Sequence, residues 1–344
     1  MNIAFIVSSR KKAGPIIVVA DYIKLLQKNN HSCKFFYFDE CDVGVSISCE
    51  SEKITMDTVF DFSQYDIVHC HGGRPNLYVT LHKPLFCKTK FLTTIHSYIF
   101  QDFRYSYGIF KGFIAALIAL LFTLRFDKII ALSNDAKKYY KRFLFFKKID
   151  FLYNTVNSSN KKLSEEQECE LLNFKEDKYL LGINGILNKR KGQYIAISCL
   201  PYLPQCKLFL LGSGVDEMKL RTLAENLGVS DRVYFAGYRK NAVDYLPYYD
   251  VFLFPSHSEG CPLALLEAVA LNKKIACSNI AVHREMLADT EVVFFDIANI
   301  SDVVRGISEI LSASNEQPKL QACYQNKFSH EKIYSELLRI YGDF

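Results

Sequence analysis

The sequence predicts an α/β protein built as two doubly wound domains, each with a parallel sheet and crossover helices. Two observations predict it. Short apolar runs alternate with helix-like stretches along nearly the whole chain, and the alternation breaks once, near 157–178, before starting again. At 344 residues the chain is long enough for about two domains, and a hydrophobic share of 49% is enough to fill two ordinary cores.

In the first array Ile3 to Val7 reads as a strand, followed by a Gly14-Pro15 loop and a helix from about Ile16 to Asn29. Cys33 to Phe38, Asp66 to His71, Phe91 to His96 and Lys128 to Ser133 follow as short apolar strands separated by helical stretches. The run Asn157-Ser158-Ser159-Asn160-Lys161-Lys162 and the charged stretch after it read as a connection. In the second array Tyr179 to Ile183, Lys207 to Leu211, Arg232 to Phe235, Val251 to Phe254, Lys274 to Cys277 and Val292 to Phe295 read as strands. Helices are expected from about Gly192, over 216–227 and from Leu263 to about Leu271, with a last one from about Ser329 to Tyr341. The expected division is 1–157, 158–327 and a terminal helix over 328–344. Ligands of such sheets bind beyond the carboxyl ends of the strands, so a cleft between two of them is the expected site.

Composition narrows the chemistry. The net charge of +5 is too modest to argue for nucleic acid. It is unevenly spread, with 21 basic and 13 acidic residues in 1–155 and a small acidic excess afterwards. A basic first half suits an anionic partner, or is simply a solvated face. The 11 cysteines are scattered without a Cys-x-x-Cys pair and read as reduced, mostly buried thiols of a cytoplasmic protein. His69 and His71 share one strand face, but nothing in the sequence completes a metal site around them. The apolar run Gly112 to Leu124 is too short to span a bilayer and reads as a buried or interfacial helix. Lys137 to Lys148 interleaves cations with aromatics, which suits a peripheral contact with an anionic membrane or an amphipathic helix buried on one face.

Two stretches carry chemistry. In Pro255-Ser256-His257-Ser258-Glu259-Gly260-Cys261-Pro262-Leu263-Ala264-Leu265-Leu266-Glu267-Ala268 a strand runs into a loop, and Pro262 falls where a helix begins. The amides of Gly260, Cys261 and Leu263 then form an anion site with one carboxylate on each side. Read alone, the two glutamates would more often be a helix cap and a solvated side chain. Gly185-Ile186-Leu187-Asn188-Lys189-Arg190-Lys191-Gly192 places three consecutive cations at another strand's carboxyl end. Each cation–anion pair there is worth at most about 4 kcal/mol before desolvation; alone, the motif is equally well a solvated basic turn. Gly212-Ser213-Gly214 is a tight turn rather than a full dinucleotide fingerprint, and no serine-hydrolase elbow occurs.

Together these motifs resemble the retaining GT-B glycosyltransferases, family four. The resemblance is dense from about 183 to 285 and includes Val233-Tyr234-Phe235-Ala236-Gly237 and Asp250 to Ser256. Earlier it rests on Gly14, Asp66 to His71, Thr94-Ile95-His96, Ile129 to Ser133 and Asn154, and later on Phe328 to Ile333.

The resemblance implies a GT-B fold, two Rossmann-like domains facing a cleft, with the last helix crossing back onto the first. It implies that Glu267 binds the ribose, Glu259 the donor sugar, and Gly260, Cys261, Pro262 and Leu263 the sugar hydroxyls and phosphate. Lys191 would neutralise the diphosphate leaving group, with Arg190 beside it. His96 would lie near the transferring sugar, and Gly14, Gly212, Ser213 and Tyr238 would complete the donor site. His71 and Arg74 are candidate acceptor contacts. No metal and no cofactor are expected. The implied reaction moves a hexose or N-acetylhexosamine from a nucleotide-diphosphate sugar, a UDP-sugar by preference, to a glycan or lipid-linked acceptor. The setting would be bacterial surface polysaccharide assembly, such as lipopolysaccharide or capsule. Ile186 stands where the family often has arginine, so Arg190 or Lys189 would have to replace that charge. A sugar-nucleotide epimerase and a non-catalytic sugar-nucleotide-binding relative are the alternatives.

Overall fold

The computed structural model describes residues 1–41, 44–59, 61–157, 161–313 and 319–343. The part of the expected connection from Ser158 to Asn160 lies outside them. The chain divides into two compact units, Met1–Thr155 with Lys327–Phe344, and Val156–Asn326.

The strands are β1 Asn2–Ser9, β2 Ser32–Asp39, β3 Glu50–Lys53, β4 Ile67–His71, β5 Lys90–Ile95, β6 Lys128–Ala131 and β7 Lys148–Phe151, then β8 Tyr179–Asn184, β9 Cys206–Leu211, β10 Val233–Gly237, β11 Val251–Phe254, β12 Ile275–Ser278 and β13 Val293–Phe295. The helices are α1 Gly14–Lys28, α2 Gly73–His82, α3 Ile99–Tyr107, α4 Ile109–Leu121, α5 Asn134–Lys141, α6 Glu165–Lys175 and α7 Gln193–Cys199, then α8 Glu217–Asn226, α9 Leu263–Ala270, α10 Ala281–Met286, α11 Ile300–Ser312, α12 Leu320–Lys327 and α13 His330–Gly342.

Among the described residues the first unit forms a seven-stranded sheet in the order β3-β2-β1-β4-β5-β6-β7, and the second a six-stranded sheet in the order β10-β9-β8-β11-β12-β13. All of the strand pairings are parallel. A parallel sheet is covered on both faces, and so β4, β6, β9, β11 and β12 are buried along their whole length. Each sheet reverses its winding once, between β1 and β4 in the first unit and between β8 and β11 in the second. These switch points are where doubly wound sheets open a crevice.

The helices follow from local signals. Ser133 caps α5 by accepting from the Ala136 amide, and Asn299 caps α11 through the amides of Ser301 and Asp302. In α11 the buried Val303, Gly306, Ile307 and Ile310 recur at helical spacing and face the second sheet. The last helix, α13, buries Ile333, Leu337, Ile340 and Tyr341 against the first unit. Its docking is polar as well as apolar. The ammonium of Lys128, 2% exposed, donates to the carbonyl of Ile340 at 2.9 Å and to that of Asp343, which satisfies the helix's last turn.

Three expectations change. Pro262 is the residue before α9, not its first: its ψ of 122° is extended, and the helix starts at Leu263. The segment from Lys137 to Lys148 is not one amphipathic helix, because α5 ends at Lys141 and Lys148 opens β7. The apolar run after Gly112 forms α4, but only Gly112, Ala116 and Leu120 of that helix are buried. Among the described residues no helix is long and apolar enough to cross a membrane. All 11 cysteines are free thiols.

Candidate active site

The second unit assembles its charged site from the loops after β8 and β11, the two strands at its switch point. After β8 the side chain of Asn188 accepts from the Lys191 amide at 3.1 Å and folds Lys189–Lys191 into a single tight turn. Gly192 then adopts φ +70°, and a Cβ there would meet the Pro255 carbonyl oxygen at 2.0 Å. Only glycine fits this close approach of the two loops. The His257 amide donates to the Arg190 carbonyl at 2.8 Å, the Arg190 guanidinium donates to the Ser258 carbonyl at 2.7 Å, and Tyr194 Oη lies 2.9 Å from His257 Nε2.

This zipping delivers two cations to one carboxylate. Lys191 Nζ lies 2.7 Å from Glu259 Oε1, and Arg190 Nη1 lies 3.2 Å from Oε2. Glu259 is 6% exposed. Burial alone would raise its pKa. The charges of Lys191 and Arg190, with hydrogen bonds from Lys191 and Ser256, outweigh burial and hold it at about 2. The Lys191 ammonium also sits 5.1 Å from the centre of the Phe254 ring. Beneath the loop, Ser278 Oγ donates to the Ser256 carbonyl at 2.6 Å, and buried His283 lies against Ser278.

The remaining candidates of this unit are spread along the same sheet edge. Gly260, Cys261 and Pro262 are buried between Glu259 and α9, and Glu267 is half-buried on that helix. Gly212, at φ +147°, packs its backbone on the Gly185 carbonyl, where a Cβ would approach to 1.9 Å. Ser213 accepts from the Leu187 amide through its carbonyl at 3.1 Å, joining the loops after β8 and β9. Tyr238 is 57% exposed beyond β10, the sheet's edge strand, three strands away from β11, whose loop carries Glu259. Ile186 is 59% exposed and Lys189 is exposed, whereas Arg190 is already committed to Ser258 and Glu259.

In the first unit the candidates also gather at the switch point. Gly14 opens α1 after β1, and His71 ends β4. His71 Nδ1 lies 2.8 Å from Nε2 of His96, which follows the neighbouring strand β5. His69 lies between Tyr341 Oη at 2.9 Å and Thr94 Oγ1 at 2.8 Å. Burial pushes His96 down to about 4 and His69 to about 3. It pushes His71 lower as well, with the neighbouring histidines adding to the effect. All three are neutral near pH 7. Arg74 pairs with Asp39 at 2.7 Å and stacks on Phe38 instead of meeting the histidines.

Sequence reasoning named Glu259 and Lys191 but gave them separate partners, sugar and diphosphate. It missed their mutual contact and the roles of Asn188, Gly192, Ser256, His257 and His283. Gly192 carried the one readable signal, a glycine directly after three cations at a strand end.

A pair of doubly wound parallel sheets with their charged loops at the strand carboxyl ends is the GT-B architecture. The chain matches the crystal structure of Anabaena HepE in complex with UDP and glucose with a TM-score of 0.81 over 99% of both chains, at 16% identity. It matches that of WaaG, a glycosyltransferase involved in lipopolysaccharide biosynthesis, with a TM-score of 0.75 at 14% identity, over 99% of this chain and 100% of WaaG. Residues 164–329 match the family Glycosyl transferases group 1, and residues 54–160 match Glycosyltransferase Family 4. Over 354 aligned residues, all of this chain and 98% of the relative, it is 33% identical to WclY of Escherichia coli, an O-antigen biosynthesis glycosyltransferase. The chain belongs to the glycosyltransferases.

Proposed function

We propose that this enzyme is a retaining family-four glycosyltransferase that moves a hexose or N-acetylhexosamine from a UDP-sugar to a glycan or lipid-linked acceptor. The pathway would be the assembly of a bacterial surface polysaccharide. The observation that carries the donor reading is the pairing of buried Glu259 with the partly exposed Lys191 and Arg190 at the second switch point. The UDP held by HepE and the O-antigen role of WclY support the nucleotide and the pathway.

In this reading Glu259 holds Lys191 in place until a diphosphate arrives. The triad carries a net positive charge, so an incoming diphosphate shares Lys191 while Arg190 keeps Glu259 neutralised and seated. Departure of the leaving group concentrates negative charge on the phosphate, where Lys191 and the positive end of α9 stabilise it more in the transition state than in the ground state. No metal is needed for this task. Glu259, held ionised, accepts from donor sugar hydroxyls, and Glu267 accepts from the ribose. Gly212, Ser213 and Tyr238 line the nucleotide. In the first unit, His96 and the Gly14 loop remain the donor candidates, and His71 and Arg74 the acceptor candidates. Lys189, exposed beside Ile186, is better placed than Arg190 to supply the missing family charge. The enzyme works at the inner face of the cell membrane as a peripheral protein. Ile186 is the one feature that would favour a non-catalytic binder, and the match to glycosyltransferases supports neither that reading nor an epimerase.

Calorimetry with UDP-, GDP-, ADP- and CMP-sugars tests the donor. UDP-sugar binding at micromolar to sub-millimolar affinity is expected, and selective binding of another nucleotide would overturn the assignment.

A further inference from the structure

We infer that the outward face of α4 and the adjoining loop 142–147 form a docking surface for an anionic lipid bilayer. The inference builds on the peripheral placement above and names the surface that achieves it.

The helix α4, Ile-Phe-Lys-Gly-Phe-Ile-Ala-Ala-Leu-Ile-Ala-Leu-Leu, has almost no polar side. Its inward face is narrow, made of Gly112, Ala116 and Leu120. Gly112 sits so close to α3 that a Cβ would meet the Phe103 carbonyl oxygen at 2.5 Å. The large residues therefore point outward: Phe110 is 77% exposed, Phe113 54%, Leu117 43% and Leu121 58%. A surface helix in water shows charge on its outer face, and this one shows hydrocarbon. At 13 residues α4 is about 20 Å long, too short to span, so it can lie on a bilayer but not cross it.

The apolar surface continues into the loop after α5. Phe100 bridges Phe113 and Phe143, with ring centres 5.5 and 5.0 Å away. Lys147 Nζ donates to the Leu124 carbonyl at 3.0 Å and fixes the loop to the turn that follows α4. At its tip Phe145 and Phe146 are 77% and 62% exposed.

Charge selects the occupant. From Phe103 to Lys148 there are ten basic residues and two acidic ones. Both acids are engaged elsewhere: Asp127 pairs with Lys83 and accepts from the Phe91 amide, and Asp135 accepts from Tyr98. Arg104, Lys111, Lys138 and Arg142 are exposed around the apolar face. An apolar face rimmed by cations fits the boundary between acyl chains and anionic headgroups, where hydrocarbon burial and Coulomb attraction add. A second copy of this chain would bring the same cations against one another.

The test is flotation of the full chain with vesicles of phosphatidylethanolamine and phosphatidylglycerol, against vesicles of phosphatidylcholine alone. Two variants accompany it, Phe110→Ser/Leu117→Ser/Phe145→Ser and Lys111→Glu/Lys138→Glu/Arg142→Glu. Their melting temperatures and UDP-sugar affinities, which should match wild type, exclude misfolding. The expected result is salt-sensitive flotation of wild type on the anionic vesicles only, reduced by at least about tenfold in each variant. If wild type floats and both folded variants float equally well, the α4 surface is refuted while the peripheral placement stands. If wild type fails to float, both are refuted. If wild type is instead a dimer in solution that the serine variant dissociates, this face is a contact between copies and the inference fails.

Discussion

Replacing Lys191 with methionine keeps the stem of the side chain and removes the cation beside Glu259. The displacement of the Glu259 pKa from 4.5 to about 2 corresponds to about 3 kcal/mol in favour of its ionised form. Lys191 is the largest of the groups lowering it and Arg190 the next, so Arg190 alone retains part of that stabilisation. Breaking a buried pair by removing one partner costs about 3–5 kcal/mol when nothing remains. With Arg190 still 3.2 Å away, Lys191→Met should cost about 2 kcal/mol at pH 7. The stabilising effect of a depressed carboxylate pKa is fully present above the unfolded value and is lost as pH falls toward the folded one. The difference between wild type and Lys191→Met should therefore be largest above pH 4.5 and shrink toward about pH 2. Urea denaturation at pH 7 and at pH 3.5 measures it. His69, His71 and His96 also respond to acid, but equally in both proteins, so they cancel in the difference; buried His283 feels both Glu259 and Lys191, and making the comparison in a His283→Gln background removes its share. A penalty under about 0.5 kcal/mol, or one unchanged between the two pH values, would refute the electrostatic account of the triad.

Three further outcomes follow from the geometry. Gly192→Ala should destabilise the second unit by at least about 2 kcal/mol and abolish turnover, because both the left-handed backbone and the Pro255 contact oppose a methyl group; a melting curve and an activity assay check this. Because His69, His71 and His96 have folded pKa values below 6.5, the unfolded chain binds more protons as pH falls from 6.5 toward 4. Stability should drop over that interval by up to about 1.4 kcal/mol per pH unit for each histidine, and the His71→Phe variant should show a shallower slope in the same denaturation series. Lys128→Met should free the Ile340 and Asp343 carbonyls and lower hydrogen-exchange protection across α13 by about tenfold, with little change in α11.

What could be read from the sequence follows from where hydrophobicity carries the information. Val251–Phe254 is a strand with the predicted bounds because a buried parallel strand is a continuous apolar run. By contrast β3, Glu-Ser-Glu-Lys, has no apolar residue. It is an edge strand held to β2 by backbone pairing and by Lys34 between Glu50 and Glu52 at 2.9 and 2.7 Å, which no hydropathy pattern reports. Strand β7 starts at the last residue of the basic aromatic run, whose periodicity conceals the turn after Lys141. At the site, Glu259 and Lys191 were legible individually because each follows a strand end. Their pairing was not, because it depends on β8 and β11 being neighbours, a consequence of strand order. The same holds for His71 and His96, brought together by the pairing of β4 with β5.

The central claim is that the triad and Glu267 divide the work on one donor, the former serving the transfer and the latter holding the nucleotide. UDP affinity by calorimetry, measured beside the rate of UDP release in the presence of acceptor, tests it with Glu267→Ala and Glu259→Ala. The account predicts at least about a tenfold loss of UDP affinity for Glu267→Ala. It predicts near-normal UDP affinity with turnover reduced by about a hundredfold or more for Glu259→Ala. If both variants bind UDP and turn over like wild type, these residues do not form the donor site.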